Sequence, residues 1–201
     1  MNFLAHQYLS FHSEPVMVGN FIADTINGVI PDEYPEAVKL GIQIHRSIDT
    51  YTDSHPIVLE TRKLLYPWFS KYAAVVQDVY YDHFLAINWH LYSKIPLAEF
   101  VNNVYAVLST NEQVMNEKAL RILHYMKLHD WLYNYSKKEG IDRALKGLSR
   151  RATFKSNMEK GLEALDANYT ALNQHFQEFF PQLENEINRM YGNELNNDFL
   201  E

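Results

Sequence analysis

The sequence predicts an all-α protein, a single compact domain over residues 1–201 built from roughly seven to nine helices. Three observations carry this. Hydrophobic residues make up 47% of the chain and aromatics 14%, against only seven glycines and seven prolines, a balance that suits packed helices better than a sandwich or a disordered chain. Apolar residues recur at helical spacing between well-marked breakers. No stretch of strand length alternates with period two, and no internal repeat or low-complexity linker divides the chain.

In chain order, Ser13-Glu14-Pro15 and Gly28 to Pro31 interrupt the first apolar segments. Glu36 to Tyr51 then places Ile44, Ile48 and Tyr51 at i, i+4 and i+7, the stripe of a helix packed by one face, before His55-Pro56 breaks the pattern. Tyr72 to Trp89 is apolar nearly all round, as a central, buried helix must be. Further breaks fall at Ser93 to Pro96, Ser109 to Asn111 and Lys138 to Gly140. Leu162, Leu165, Tyr169, Leu172 and Phe176 restore the one-sided helical pattern, and Pro181 marks a last break. The aromatic run Phe176 to Phe180 reads as core.

The chain has no cysteine, which removes disulfides, thiolate metal sites and cysteine nucleophiles; any metal must be held by His, Asp or Glu. A formal charge of −7 opposes broad nucleic-acid binding, which needs a basic field. Met1 to Ser10 shows no basic start or small-residue cleavage pattern, and nowhere do about 18 apolar residues run uninterrupted, so no membrane association and a cytoplasmic location are expected.

Chemistry is concentrated in acids and imidazoles set in apolar sequence. Asp78 and Asp82 stand at i and i+4 in the apolar Tyr72–Trp89 segment, with His83 adjacent; His45 and Asp49 repeat the spacing, with Asp53 one turn on. Asp24 ends the run Phe21-Ile22-Ala23-Asp24, and His6 follows Phe3-Leu4-Ala5. A buried carboxylate costs several kcal/mol unless it is neutralised, paired or metal-bound, so these groups need partners. A divalent cation held by imidazole and carboxylate can polarise a phosphoryl oxygen and supply hydroxide near neutral pH, which suits phosphodiester hydrolysis. Structural readings stand beside the functional one: His6 and His45 as hydrogen-bonded core histidines, Asp49 and Asp53 paired with Arg46 or capping a turn, Asp78 facing a lysine or tyrosine hydroxyl. His12, His55, His90, His124, His129 and His175 read as non-ligands.

Met1-Asn2-Phe3-Leu4-Ala5-His6, then Gly19-Asn20-Phe21-Ile22-Ala23-Asp24, then Gly41-Ile42 with His45-Arg46-x-Ile48-Asp49-x-x-Thr52-Asp53, then Asp82-His83-Phe84-Leu85, in this order, resemble the acyl carrier protein phosphodiesterase family. The likeness continues through Gly147-Leu148-Ser149-Arg150-Arg151 into a C-terminal helix containing Leu165 and Tyr169. The resemblance implies an HD-domain-like metal phosphohydrolase that uses a divalent ion, typically manganese, with magnesium or ferrous iron as alternatives. Its substrate would be holo acyl carrier protein, cleaved at the phosphodiester between phosphopantetheine and serine. Position by position, Asp24, His45, Asp49, Asp82 and His83 match the family, as do His6 and Asp53. HD-type relatives carry a contiguous His-Asp pair, whereas here Asp82-His83 runs the other way, so ligand roles do not transfer directly. The expectation is that Asp24, His45, Asp82 and His83 form most of the metal shell and that Asp49 or His6 orients a ligand or the attacking water, which makes Asp24, Asp49 and His6 the catalytic candidates. Arg46 either offsets phosphate charge or lies at the surface.

Carrier proteins are acidic, as is this chain, so encounter requires a local basic patch. Asp142 to Lys155 supplies Arg143, Lys146, Arg150, Arg151 and Lys155 against the single acid Asp142, which makes it the candidate docking segment or, alternatively, a solvated face. Two other functions fit the residues without the resemblance: hydrolysis of a nucleotide or other small phosphodiester, and a non-catalytic helical binding protein.

Overall fold

Helix follows helix along the chain: α1 (Phe3–Tyr8), α2 (Glu14–Ile22), α3 (Glu36–Ser54), α4 (Pro56–Phe69), α5 (Ala73–Ile87), α6 (Leu97–Thr110), α7 (Glu117–Leu128), α8 (Trp131–Asn134), α9 (Lys138–Arg151) and α10 (Gly161–Asn197), joined by short turns. The structure, a computed structural model, describes residues 1–197, and no strand occurs among them. The all-α expectation holds. The breakers act as read: Pro15 and Pro56 occupy the first turns of α2 and α4, where a missing N–H has no intrahelical partner to lose, and Pro35 and Pro96 precede α3 and α6.

α5 is the buried central helix that its sequence requires, with Val76, Tyr80, Phe84 and Leu85 fully enclosed. α10 packs along it with Leu165, Leu172, Phe176, Phe179 and Phe180, so the aromatic run is core. Pro181 does not end α10. The helix runs for 37 residues because Leu183 and Ile187, beyond the proline, remain on the buried face and hold the chain to the core.

α2 and α3 form the closest pair in the fold, crossing at Gly19 and Gly41. A Cβ at Gly19 would collide with the Val38 carbonyl oxygen, and one at Gly41 with that of Val16, so only glycine allows the two backbones this near. The crossing sets Asn20 and the turn after α2 beside the His45 face of α3. Among the described residues no helix is long and apolar enough to cross a membrane.

Candidate metal centre

Three elements converge on one group of donors. His6 comes from α1, His45 and Asp49 from successive turns of α3, and one ligand atom from each lies within 4.8 Å of the others. His6 Nε2 is 3.3 Å from Asp49 Oδ1, and His45 Nε2 is 3.2 Å from Asp49 Oδ2. Asp24, on the turn after α2, places Oδ1 3.3 Å from the same His45 nitrogen. The two imidazole rings stack, with centroids 3.9 Å apart and planes 17° from parallel.

The far side of His45 is fixed by Asn20. His45 Nδ1 lies 2.9 Å from the Asn20 carbonyl oxygen and 3.0 Å from its Oδ1, so Nδ1 carries the proton and donates, leaving Nε2 to face the carboxylates. Asn20 Nδ2 in turn donates to the His6 carbonyl oxygen at 2.7 Å and to Ser10 Oγ at 3.1 Å, tying α1 to α2 beneath the site.

Electrostatics separate the two histidines. Burial works against the charge on His45, but Asp24 and Asp49 outweigh it and raise its pKa to about 9. Burial and the neighbouring His45 charge lower that of His6 to about 4. Burial opposes ionisation of Asp49, yet its contacts with His45 and His6 hold it well below the usual carboxylate range. The His45 contact lowers Asp24 as well, against the effect of burial. In the metal-free protein the imidazolium of His45 therefore supplies the positive charge between two carboxylates. Two imidazole nitrogens and carboxylate oxygens gathered around one point form a donor set that could hold a divalent metal ion.

Asp82 and His83, expected from the sequence in the same shell as Asp24 and His45, are not brought to it. Asp82 is fully buried, and its carboxylate accepts the backbone N–H groups of Leu4 at 2.7 Å and of Asn2 and Ala5 at 3.3 Å. It caps α1, satisfying donors that the first turn of a helix leaves free. Burial raises its pKa to about 7 despite these bonds. His83, the next residue around the helix, points elsewhere and donates from Nδ1 to the Tyr135 carbonyl oxygen at 2.7 Å, while burial lowers its pKa. Asp78, between Asp82 and the start of α5, lies 2.9 Å from the Met1 amino group, which is itself 3.9 Å from Asp49.

Arg46 lies outside the donor group and donates to the Ile26 carbonyl oxygen at 3.3 Å, just past the Asp24 turn. Asp53 pairs with Arg62 rather than Arg46, at 2.5 Å. In the basic segment Lys146 pairs with Asp142 at 2.7 Å, while Arg143, Arg150 and Arg151 are exposed. Sequence reasoning missed Asn20 as the group that orients His45. The signal was present: an asparagine in the apolar run from Val16 to Ile22 must find buried partners.

Fold and site together define a class, an all-helical protein that gathers His and Asp donors from crossing helices into a cluster suited to a divalent cation. The chain belongs to the acyl carrier protein phosphodiesterase family, whose model matches residues 1–183. It is similar to proteins named acyl carrier protein phosphodiesterase from Escherichia coli (strain K12 / DH10B), 33% identical over 94% of this chain and 98% of that protein, and from Enterobacter sp. (strain 638), 32% identical over 91% and 95%. A third, from Photorhabdus laumondii, is 29% identical over 91% of this chain and 93% of its own. No solved structure matches the chain.

Proposed function

We propose that this protein, in the cytoplasm, hydrolyses the phosphodiester joining 4'-phosphopantetheine to the serine of holo acyl carrier protein, releasing apo carrier protein and 4'-phosphopantetheine. Family membership over residues 1–183 supports the substrate. The observation that carries the chemistry is the convergence of His6, His45 and Asp49 within 4.8 Å, with Asp24 against His45.

His6, His45 and Asp49 would hold the divalent ion, with Asp24 beside it, and manganese is the ion we assign, ahead of magnesium and ferrous iron. Such an ion, when bound, polarises a phosphoryl oxygen and lowers the pKa of a bound water toward neutrality. Asn20 keeps the His45 proton on Nδ1, so that Nε2 is free as a donor once its own proton leaves. Asp82 holds the first turn of α1 against α5 and so fixes the register that carries His6 into the cluster. Asp24 is the most exposed carboxylate of the group, with 59% of its side chain accessible, and stands where an attacking water would enter; it accepts a proton from that water. Oxygen from water joins phosphorus, the bond from phosphorus to the carrier serine oxygen breaks, and the serine oxygen takes up a proton. Arg46, beside the Asp24 turn, offsets phosphate charge. Arg143, Lys146, Arg150 and Arg151 attract the acidic carrier surface.

The test is hydrolysis of holo carrier protein with and without a chelator, in wild type and in His45→Ala and Asp49→Asn. Turnover is expected to require added manganese and to fall by at least about a hundredfold in both variants. Full activity in either variant would sink the assignment of the cluster.

A further inference from the structure

Phe154 follows α9, and its side chain is 62% exposed. Lys71 Nζ lies 3.3 Å from the centroid of its ring, and the Phe154 N–H donates to the Tyr72 hydroxyl at 3.2 Å. Three residues on, Asn157 Nδ2 donates to the Trp68 carbonyl oxygen at 3.3 Å. Polar contacts therefore tie the Phe154 backbone and the Asn157 side chain to the end of α4 and the turn before α5, and the exposed ring carries a cation over it. Arg150, Arg151 and Lys155 are exposed close to it in the chain, and among the described residues none of these or Lys71 has a carboxylate within 4.0 Å. An exposed aromatic with a cationic surround free of close ion pairs has the composition of an interface hot spot with a charged rim.

This surface leads to the metal centre along α5. Lys71 and Tyr72 lie in the short turn that leads into α5, and Val75 and Asp78 follow three residues apart on the helix; Val75 is 38% exposed, and Asp78 has 31% of its side chain accessible. Six residues separate Tyr72 from Asp78, about 9 Å of helical rise. A standard protein interface covers about 800 Å² per partner and spans that separation. A substrate whose scissile bond sits on its own serine must lay its surface against the rim of the site, because no long tether connects the two.

We propose that Phe154, backed by Lys71, anchors an acidic protein substrate on this face, with Arg150, Arg151 and Lys155 as the charged rim. The inference rests on the functional reading above, which makes that substrate the carrier protein, and adds where it is gripped. Charge complementarity selects this occupant: the patch is cationic, and the chain as a whole, at −7, would repel an acidic partner elsewhere.

Steady-state kinetics on holo carrier protein with manganese test it. Phe154→Ala is expected to raise KM about tenfold or more while kcat stays within about twofold. Lys71→Glu should raise KM at low salt, with the difference shrinking as salt is added. Leu128→Ala removes an equally exposed side chain, 62%, from α7 and leaves KM unchanged. Wild-type turnover combined with an unchanged KM in Phe154→Ala overturns the docking proposal alone. Absence of wild-type turnover overturns the functional reading and the docking proposal with it. A change of oligomeric state in Phe154→Ala by light scattering, with KM unmoved, would assign the patch to a second copy of this chain and also overturn it.

Discussion

Asp82→Ala separates two roles that sequence alone does not distinguish, a metal ligand and a helix cap. The carboxylate accepts three backbone N–H groups at the start of α1, those of Leu4 and Ala5 in fully buried contacts and that of Asn2, just before the helix, partly buried. Each interior donor left unsatisfied costs about 1–3 kcal/mol, and water can reach the Asn2 position, so the variant should lose about 3–5 kcal/mol in metal-free protein. Asp82→Asn keeps one acceptor oxygen and should lose roughly half as much. The assay is urea unfolding with chelator present, followed by far-ultraviolet circular dichroism, with manganese affinity measured on the same samples. If metal-free Asp82→Ala unfolds within about 0.5 kcal/mol of wild type while manganese binding collapses, Asp82 is a ligand and the capping argument is wrong.

Three further outcomes follow from the geometry. The His45 pKa of about 9 lies above its unfolded value, so its ion pairs stabilise the metal-free fold fully below about pH 6.5, and that contribution fades as pH rises through 9. The stability gap between wild type and His45→Ala should narrow over that window in denaturant titrations, and a gap that widens contradicts the assignment. A bound ion must displace the same proton, so apparent manganese affinity by calorimetry should rise by up to about tenfold per pH unit until pH about 9. Gly41→Ala should destabilise the protein by about 1–3 kcal/mol or more and weaken metal binding, because the α2–α3 crossing that brings Asp24 to His45 must open; thermal melting and metal content read both.

The parts of the fold carried by short-range periodicity were legible. α5 announced its burial by being apolar all round, and α3 announced its packed face through Ile44 and Ile48. His45 and Asp49 were legible as a pair because one helical turn sets their spacing. Asp24 reaches that pair through the crossing of α2 with α3 at Gly19 and Gly41, and His6 through the packing of α1 on α2 and α5, and neither leaves a periodic trace. Asp82 and His83 make contacts outside that cluster for a related reason. Neighbours in sequence diverge by about 100° around a helix, so one turns to the α1 amides and the other to the Tyr135 carbonyl. Pro181 was read as a stop by local rules, and the buried face of α10 overrode it.

The central claim meets its most direct test in the intact mass of holo carrier protein after incubation with this protein and manganese. The carrier is expected to lose the whole phosphopantetheine arm and return to the apo mass, with 4'-phosphopantetheine in solution and no loss in the His45→Ala control. A carrier mass unchanged by manganese-loaded protein, or an arm cleaved at any bond other than the phosphodiester, would contradict the account.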